Sequence, residues 1–186
     1  MRDHFDILAP IYDRVIGPPS PERLRDLLRL PADGWLLDAG GGTGRIARLL
    51  RPLVDHLVIS DQSRPMLRQA RGKTVDALVQ TPVERLPFPD GAFARVLVVD
   101  ALHHFADQPA SIGELLRVLA PGGRLVIEEP DIERPVVKLV ALAERLAGMG
   151  STFNRPEAIQ AMVAAHGRTA RVERDGQFAA WIIVDR

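Results

Sequence analysis

The stretch Leu36-Leu37-Asp38-Ala39-Gly40-Gly41-Gly42-Thr43-Gly44-Arg45 carries the strongest chemical signal in the chain. Four glycines in five positions let a backbone turn sharply and approach a ligand with no Cβ in the way. A helix starting near Gly44 would add free N–H groups and a partial positive charge, which suit a carboxylate or a phosphate. A tight turn without a ligand is the bland alternative, and so many glycines argue against it. Downstream, Asp61 closes the next apolar run at about the spacing at which such loops find a ribose partner. Two ligand classes remain open at this point, because Gly42-Thr43-Gly44-Arg45-Ile46-Ala47 also satisfies the dinucleotide pattern G-x-G-x-x-A.

Two features favour a ligand of mixed charge. Asp38 stands directly before the glycines. A pyrophosphate gains nothing from a carboxylate there, whereas an ammonium does. S-adenosylmethionine carries an ammonium, a carboxylate and a sulfonium together. The second feature is a hairpin signal near the end of the chain, Asp175-Gly176 between two apolar runs, which a dinucleotide domain does not need.

These residues must be held by regular elements, and the hydrophobic rhythm supplies them. Trp35-Leu36-Leu37, His56 to Ser60, Val75 to Val79, Arg95 to Val99 and Arg124 to Ile127 read as strands. Helices are expected from Gly44 to Leu50, from a Ser63 cap to Arg71, from Asp107 to Leu119, over Pro135 to Ala147, and over Pro156 to Ala165. Pro121-Gly122-Gly123 reads as a stop before the fifth strand, and Thr169 to Arg174 with Phe178 to Val184 as an antiparallel pair. Such alternation predicts an α/β fold, a parallel sheet of five βα units that finishes in an antiparallel pair, in one domain over residues 1–186.

Bulk properties narrow the function classes. The chain has 186 residues, 46% of them hydrophobic, enough for one folded core. A net charge of +0 gives no general attraction to nucleic acid or an anionic membrane. The absence of cysteine excludes disulfides, thiolate catalysis and cysteine–zinc sites. No apolar run is long enough to span a bilayer, and the acidic start lacks a secretory h-region, so a cytoplasmic location is expected.

Four segments then carry a resemblance: LLDAGGGTGRIARLL (36–50), LVISDQSRPML (57–67), VERLPFPDGAFARVLVVDALHHF (83–105) and ELLRVLAPGGRLVIEEP (114–130). Together they resemble the class I methyltransferases dependent on S-adenosylmethionine, and within them the ubiquinone/menaquinone C-methyltransferase-like subgroup. The start FDILAPIYDRV resembles that subgroup's N-terminal helix. The resemblance implies a Rossmann-like, seven-stranded, mostly parallel sheet with an antiparallel last strand and helices on both faces, its core in 34–186 and its N-terminal helices in 1–33 covering the cofactor site. The resemblance implies that Gly40 and Gly42 pass the backbone beneath the methionine moiety, with Asp38 orienting its ammonium. Asp61 would accept from both ribose hydroxyls, Gln62 and Met66 would flank the adenine, and Val83 and Glu84 would line its other edge. Asp100, Ala101 and His104 would follow the fourth strand into the site, and Tyr12 would fold over the cofactor. One departure concerns adenine: the relatives' Asp, two residues before the position of Glu84, is replaced by Pro82.

Plainer roles stand beside these. Asp38 and Asp61 could be turn or strand-end residues, Met66 and Tyr12 core packing. His103-His104 could suggest a metal, but neighbouring positions should diverge and no third ligand presents itself, so none is expected. Asp100 and His104 are the candidate catalytic residues, His104 facing the cofactor as a base and His103 packing nearby. The Pro135–Ala147 helix has apolar residues on more than one face, which suits core burial, a wall of an apolar acceptor pocket, or a homodimer surface. The expected reaction is methyl transfer to a small molecule, apolar or quinone-like. A nicotinamide-dependent oxidoreductase would need a substrate domain and a hydride-site base, neither of which is visible; a non-catalytic S-adenosylmethionine-binding protein differs only in activity.

Overall fold

The apolar runs become seven strands: β1 (Ala32–Ala39), β2 (Val54–Asp61), β3 (Ala77–Gln80), β4 (Phe93–Val99), β5 (Leu119–Pro130), β6 (Ala170–Arg174) and β7 (Ala179–Asp185). They form one sheet in the order β3-β2-β1-β4-β5-β7-β6. Pairing is parallel from β3 through β5, and β7 runs antiparallel to both β5 and β6. This is a computed structural model, and it describes residues 20–73, 75–146, 150–174 and 178–186. The helix expected before residue 20, Tyr12 within it, the Asp175-Gly176 turn and Ala147 lie outside the described residues.

Alternation along each strand sorts side chains to two cores, as the period of two requires. Leu37, Val96, Val98, Leu125, Ile127 and Ile182 pack on one face with Ile112 and Leu115 of α4 (Gln108–Val118) and Ile159 and Val163 of α6 (Pro156–Ala165). Their neighbours Leu36, Leu97, Val126, Trp181 and Ile183 pack on the other face. There they meet Leu24 and Leu28 of α1 (Pro21–Leu28), Leu50 of α2 (Ala47–Leu50), and Leu67 and Ala70 of α3 (Arg64–Ala70). A sixth helix, α5 (Pro135–Leu146), follows β5 and buries Val137.

Helix starts follow the caps in the sequence. Ser63 Oγ accepts from Met66 N (3.3 Å), and Asp107 Oδ1 accepts from Ala110 N (3.0 Å), each satisfying a free N–H of the first turn. Several boundaries differ from expectation, two of them for a reason visible in the structure. The helix after the glycine loop begins only at Ala47, because Gly41 to Ile46 is spent in turns, with Gly44 N bonded to Gly41 O (2.8 Å). Strand β5 starts at Leu119 and absorbs Pro121-Gly122-Gly123. A register shift opposite Phe93–Arg95 accommodates them, and Arg186 closes the gap by accepting from Gly122 N (2.7 Å) and donating to Gly123 O (3.0 Å).

The strand order reverses beside β1, which pairs with β2 on one side and β4 on the other. At such a switch point the connections leave to opposite faces and open a crevice at the carboxyl edge. The glycine loop, Asp61 and the turn after β4 all stand at that edge.

Candidate active site

The crevice is a solvent-open cleft of about 820 Å³. Its floor is the loop after β1. Gly40 N and Gly41 N both donate to Ser60 O (2.8 and 3.2 Å), which holds the loop against the end of β2. Gly40 has φ +71° and Gly42 φ +52°, the left-handed region that side chains disfavour. A Cβ on Gly40 would lie 2.8 Å from Ala101 Cβ and 3.1 Å from the Phe105 ring; one on Gly41 would lie 2.6 Å from Asp38 Cγ. Glycine here therefore permits close approach of loop, turn and carboxylate to one another.

Asp61, at the end of β2, accepts from Gly42 N at Oδ2 (2.9 Å) and from Ser63 N at Oδ1 (2.7 Å). A carboxylate offers about four lone-pair sites, and its two oxygens suit a pair of ligand hydroxyls. Asp38 is 1% exposed, and its Oδ2 is buried with no hydrogen-bond partner among the described residues. Burial pushes its carboxyl up to about 7, the Arg45 cation opposing and Asp61 adding to the rise. An acceptor atom left alone at the bottom of a cleft suits a ligand cation with N–H donors.

The other wall is the turn after β4. Asp100 has φ +53°, rare for a residue with a side chain, and its carboxylate lies 3.6 Å from Arg45. Burial raises the Asp100 carboxyl, with His103 and Arg45 opposing. His104 lines the cleft while His103 lies behind it, 3% exposed, its Nδ1 2.7 Å from Glu129 Oε2.

The structure thus brings Asp38, Gly40, Gly42, Asp61, Gln62, Met66, Val83, Glu84, Asp100, Ala101 and His104 to one cleft. Pro82 lines it where relatives were expected to carry an Asp. The Glu84 carboxylate also has a structural task, accepting from Asp107 N (3.1 Å) at the start of α4.

Residues 37–127 match the family model of a methyltransferase domain. The chain is 35% identical, over 205 aligned residues, to demethylmenaquinone methyltransferase of Thermus thermophilus, spanning 91% of this chain and 93% of that protein. The chain belongs to the S-adenosylmethionine-dependent methyltransferases. It is also 36% identical over 118 residues to a ubiquinone/menaquinone biosynthesis C-methyltransferase of Pseudomonas putida, covering 58% of this chain but 45% of that longer relative. Solved structures share the fold at low identity. A chain in the complex between the Haloferax volcanii Trm112 methyltransferase activator and its methyltransferase has TM-score 0.81 at 18% identity, covering 100% and 98% of the two chains. A S-adenosylmethionine-dependent methyltransferase from Thermotoga maritima has TM-score 0.72 at 19% identity, covering 97% and 98%.

Several residues in and beside the cleft are not among those the sequence points to. Arg45, Thr81 and Phe105 line the cleft; Arg45 lies within the quoted loop motif, yet nothing in its spacing indicates that it faces Asp100. Glu129 and Ser151 reach the two histidines from distant parts of the chain. The expectation that His103 and His104 diverge without a third donor is also corrected. Their ring centroids are 3.9 Å apart, and donor atoms of His103, His104 and Glu144 lie within 4.8 Å of one another. A short 3₁₀ turn over Leu102–His104 places the rings together. Among the described residues no helix is long and apolar enough to cross a membrane.

Proposed function

We propose that the cleft binds S-adenosylmethionine between Asp38 and Asp61 and presents its methyl group to a small quinone-like acceptor at the turn after β4. The observation that supports the first part is the buried, unpartnered Asp38 Oδ2 beneath the glycine loop. It fits an ammonium, while Asp61 fits a pair of ribose hydroxyls, with Gln62, Met66, Val83 and Glu84 around the adenine. The cofactor, when bound, supplies an electrophilic methyl on a sulfonium. The chain supplies alignment of acceptor and methyl, and holding two reactants in line can remove several kcal/mol, up to about 7–11 kcal/mol, of barrier. The acceptor class rests on likeness along nearly the whole chain to a demethylmenaquinone methyltransferase. In this reading Tyr12, outside the described residues, would cover the cofactor, whereas Pro21–Leu28 packs on the sheet and none of residues 20–33 lines the cleft; the chain works as a single domain.

Two measurements test it. Calorimetry with S-adenosylhomocysteine should show binding that weakens at least tenfold in Asp61→Ala, since each charge-assisted hydrogen bond lost is worth about 1.5–3 kcal/mol. Unchanged affinity in a folded variant removes Asp61 from the site. Incubation with S-adenosylmethionine and a reduced, unmethylated naphthoquinone should give a product one methyl group heavier by mass spectrometry. Turnover of a nitrogen nucleophile in place of the reduced quinone would move the enzyme to another acceptor class.

A further inference from the structure

Glu129, next to last in β5, is 4% exposed, and both its carboxylate oxygens are used by one short segment. Oε1 accepts from Ala101 N (3.1 Å) and Leu102 N (2.7 Å), and Oε2 lies 2.7 Å from His103 Nδ1. That segment is the turn after β4, whose Ala101 closes against Gly40 of the cofactor loop. His104 is next to it in the cleft, its Nδ1 3.1 Å from Ser151 Oγ.

We propose that Glu129 is the positioning residue for the acceptor side of the cleft: through Ala101, Leu102 and His103 it fixes both the turn that meets the glycine loop and the imidazole pair whose second ring, His104, faces the acceptor. This rests on the reading of the cleft as a methyl-transfer site.

The pair has a definite charge order. Two imidazoles with centroids 3.9 Å apart disfavour a positive charge on both rings at once. Three carboxylates face His103: Glu129 from β5, Asp100 from the turn, and Glu144 from α5. The Phe153 ring, stacked on it at 4.3 Å, brings no charge. Burial disfavours a charged His103, but the carboxylates outweigh it and its pKa is raised. Burial, with the neighbouring His103 cation, pushes His104 down to about 3. His104 therefore meets an acceptor hydroxyl as a neutral imidazole. So weak a base does not take a phenol's proton, whose pKa is about 10; it accepts a hydrogen bond and orients the ring.

Histidine ring titration by NMR on the full chain tests this without an acceptor. In the wild type, His103 should titrate above the ordinary histidine value and His104 well below it. Glu129→Gln keeps an oxygen for the two backbone N–H groups but places an amide NH₂ opposite His103. The His103 titration should then fall and that of His104 rise. A His104 that titrates at the ordinary histidine value in the wild type overturns the proposal, as does a Glu129→Gln variant in which neither titration moves. Broadening of both ring signals by micromolar Zn²⁺ also overturns it, because His103, His104 and Glu144 would then be a cation site. If Glu129→Gln does not fold, the wild-type titration decides. A wild type that shows this charge order yet does not bind S-adenosylhomocysteine refutes the methyl-transfer reading and leaves the charge order standing.

Discussion

The two halves of the cleft are built differently. The cofactor half comes from consecutive residues: strand β1, four glycines within five positions, and an aspartate at the end of the adjacent strand. Backbone conformation dominates there. Gly40 and Gly42 take left-handed φ, and Ser60 O and the Asp61 carboxylate hold the loop through its own N–H groups. The half proposed to meet the acceptor is assembled from side chains far apart in sequence. Glu129 reaches His103 across 26 positions and Ser151 reaches His104 across 47. A cofactor common to a whole family needs one fixed cradle, which a loop can encode locally. An acceptor side built from separate strands and helices can change one residue at a time while the cradle stays intact.

The largest effect should come from breaking the cradle itself. Gly40→Val adds a Cβ at φ +71° and within 2.8 Å of Ala101 Cβ, so strain of about 1–3 kcal/mol is joined by a clash that displaces the turn after β4. Binding of S-adenosylhomocysteine should disappear in calorimetry while circular dichroism still reports a folded chain. Gly72→Ala is the matched control. Gly72 also has positive φ, +87°, but a Cβ there would meet nothing within 4 Å. It should lose some thermal stability and no affinity. Equal loss of binding in both variants would mean that strain, not the site, is being measured.

A smaller and more specific effect should come from the carboxylate under the cradle. Asp38 is raised to about 7, against about 3.9 for an unfolded chain. A carboxyl with a higher folded pKa binds more protons folded than unfolded. Between about pH 4 and pH 7 the unliganded enzyme should therefore lose stability as pH rises. A ligand ammonium favours the ionised form, so S-adenosylhomocysteine affinity should climb over the upper part of that window, by up to about tenfold per pH unit, and level off above it. Asp38→Asn should flatten both trends. Calorimetry across pH checks this, and a slope that survives the substitution would transfer the titration to another group such as Asp100.

What was legible in the sequence follows the same division. The β1–glycine loop–Asp61 unit could be read because its ligand atoms are backbone groups and strand ends, whose places follow from short spacings. The seven strands could be read because alternation along each one has to serve two cores at once. The β5 boundary could not: Pro121-Gly122-Gly123 looks like a break, and only Arg186, at the far end of the chain, turns it into strand. Glu129 stood in plain view in the Ile127-Glu128-Glu129-Pro130 run, yet nothing local distinguishes it from Glu128. Strand parity and the turn after β4 decide which of the two is buried against His103.

The smallest effect, and the sharpest test of where the acceptor half ends, concerns α5. Its sequence left core, pocket wall and dimer surface open. Packing now divides the helix: Val137 is fully buried, whereas Leu139 and Leu142 are 68% and 53% exposed. Core burial is thereby excluded for those two leucines, and Leu139→Glu should change stability by no more than about 0.5 kcal/mol, as for an ordinary surface site. S-adenosylhomocysteine affinity should also stay at the wild-type value, because among the described residues none of α5 lines the cleft. The remaining alternatives separate in two measurements. A pocket-wall role predicts a higher KM for an apolar acceptor at unchanged kcat, since lost apolar contact weakens ground and transition states alike. A dimer role predicts a lower mass by light scattering with an unchanged KM. If Leu139→Glu alters neither, the acceptor half ends at Glu144 on the inner side of the helix, and the outer leucines take no part in catalysis.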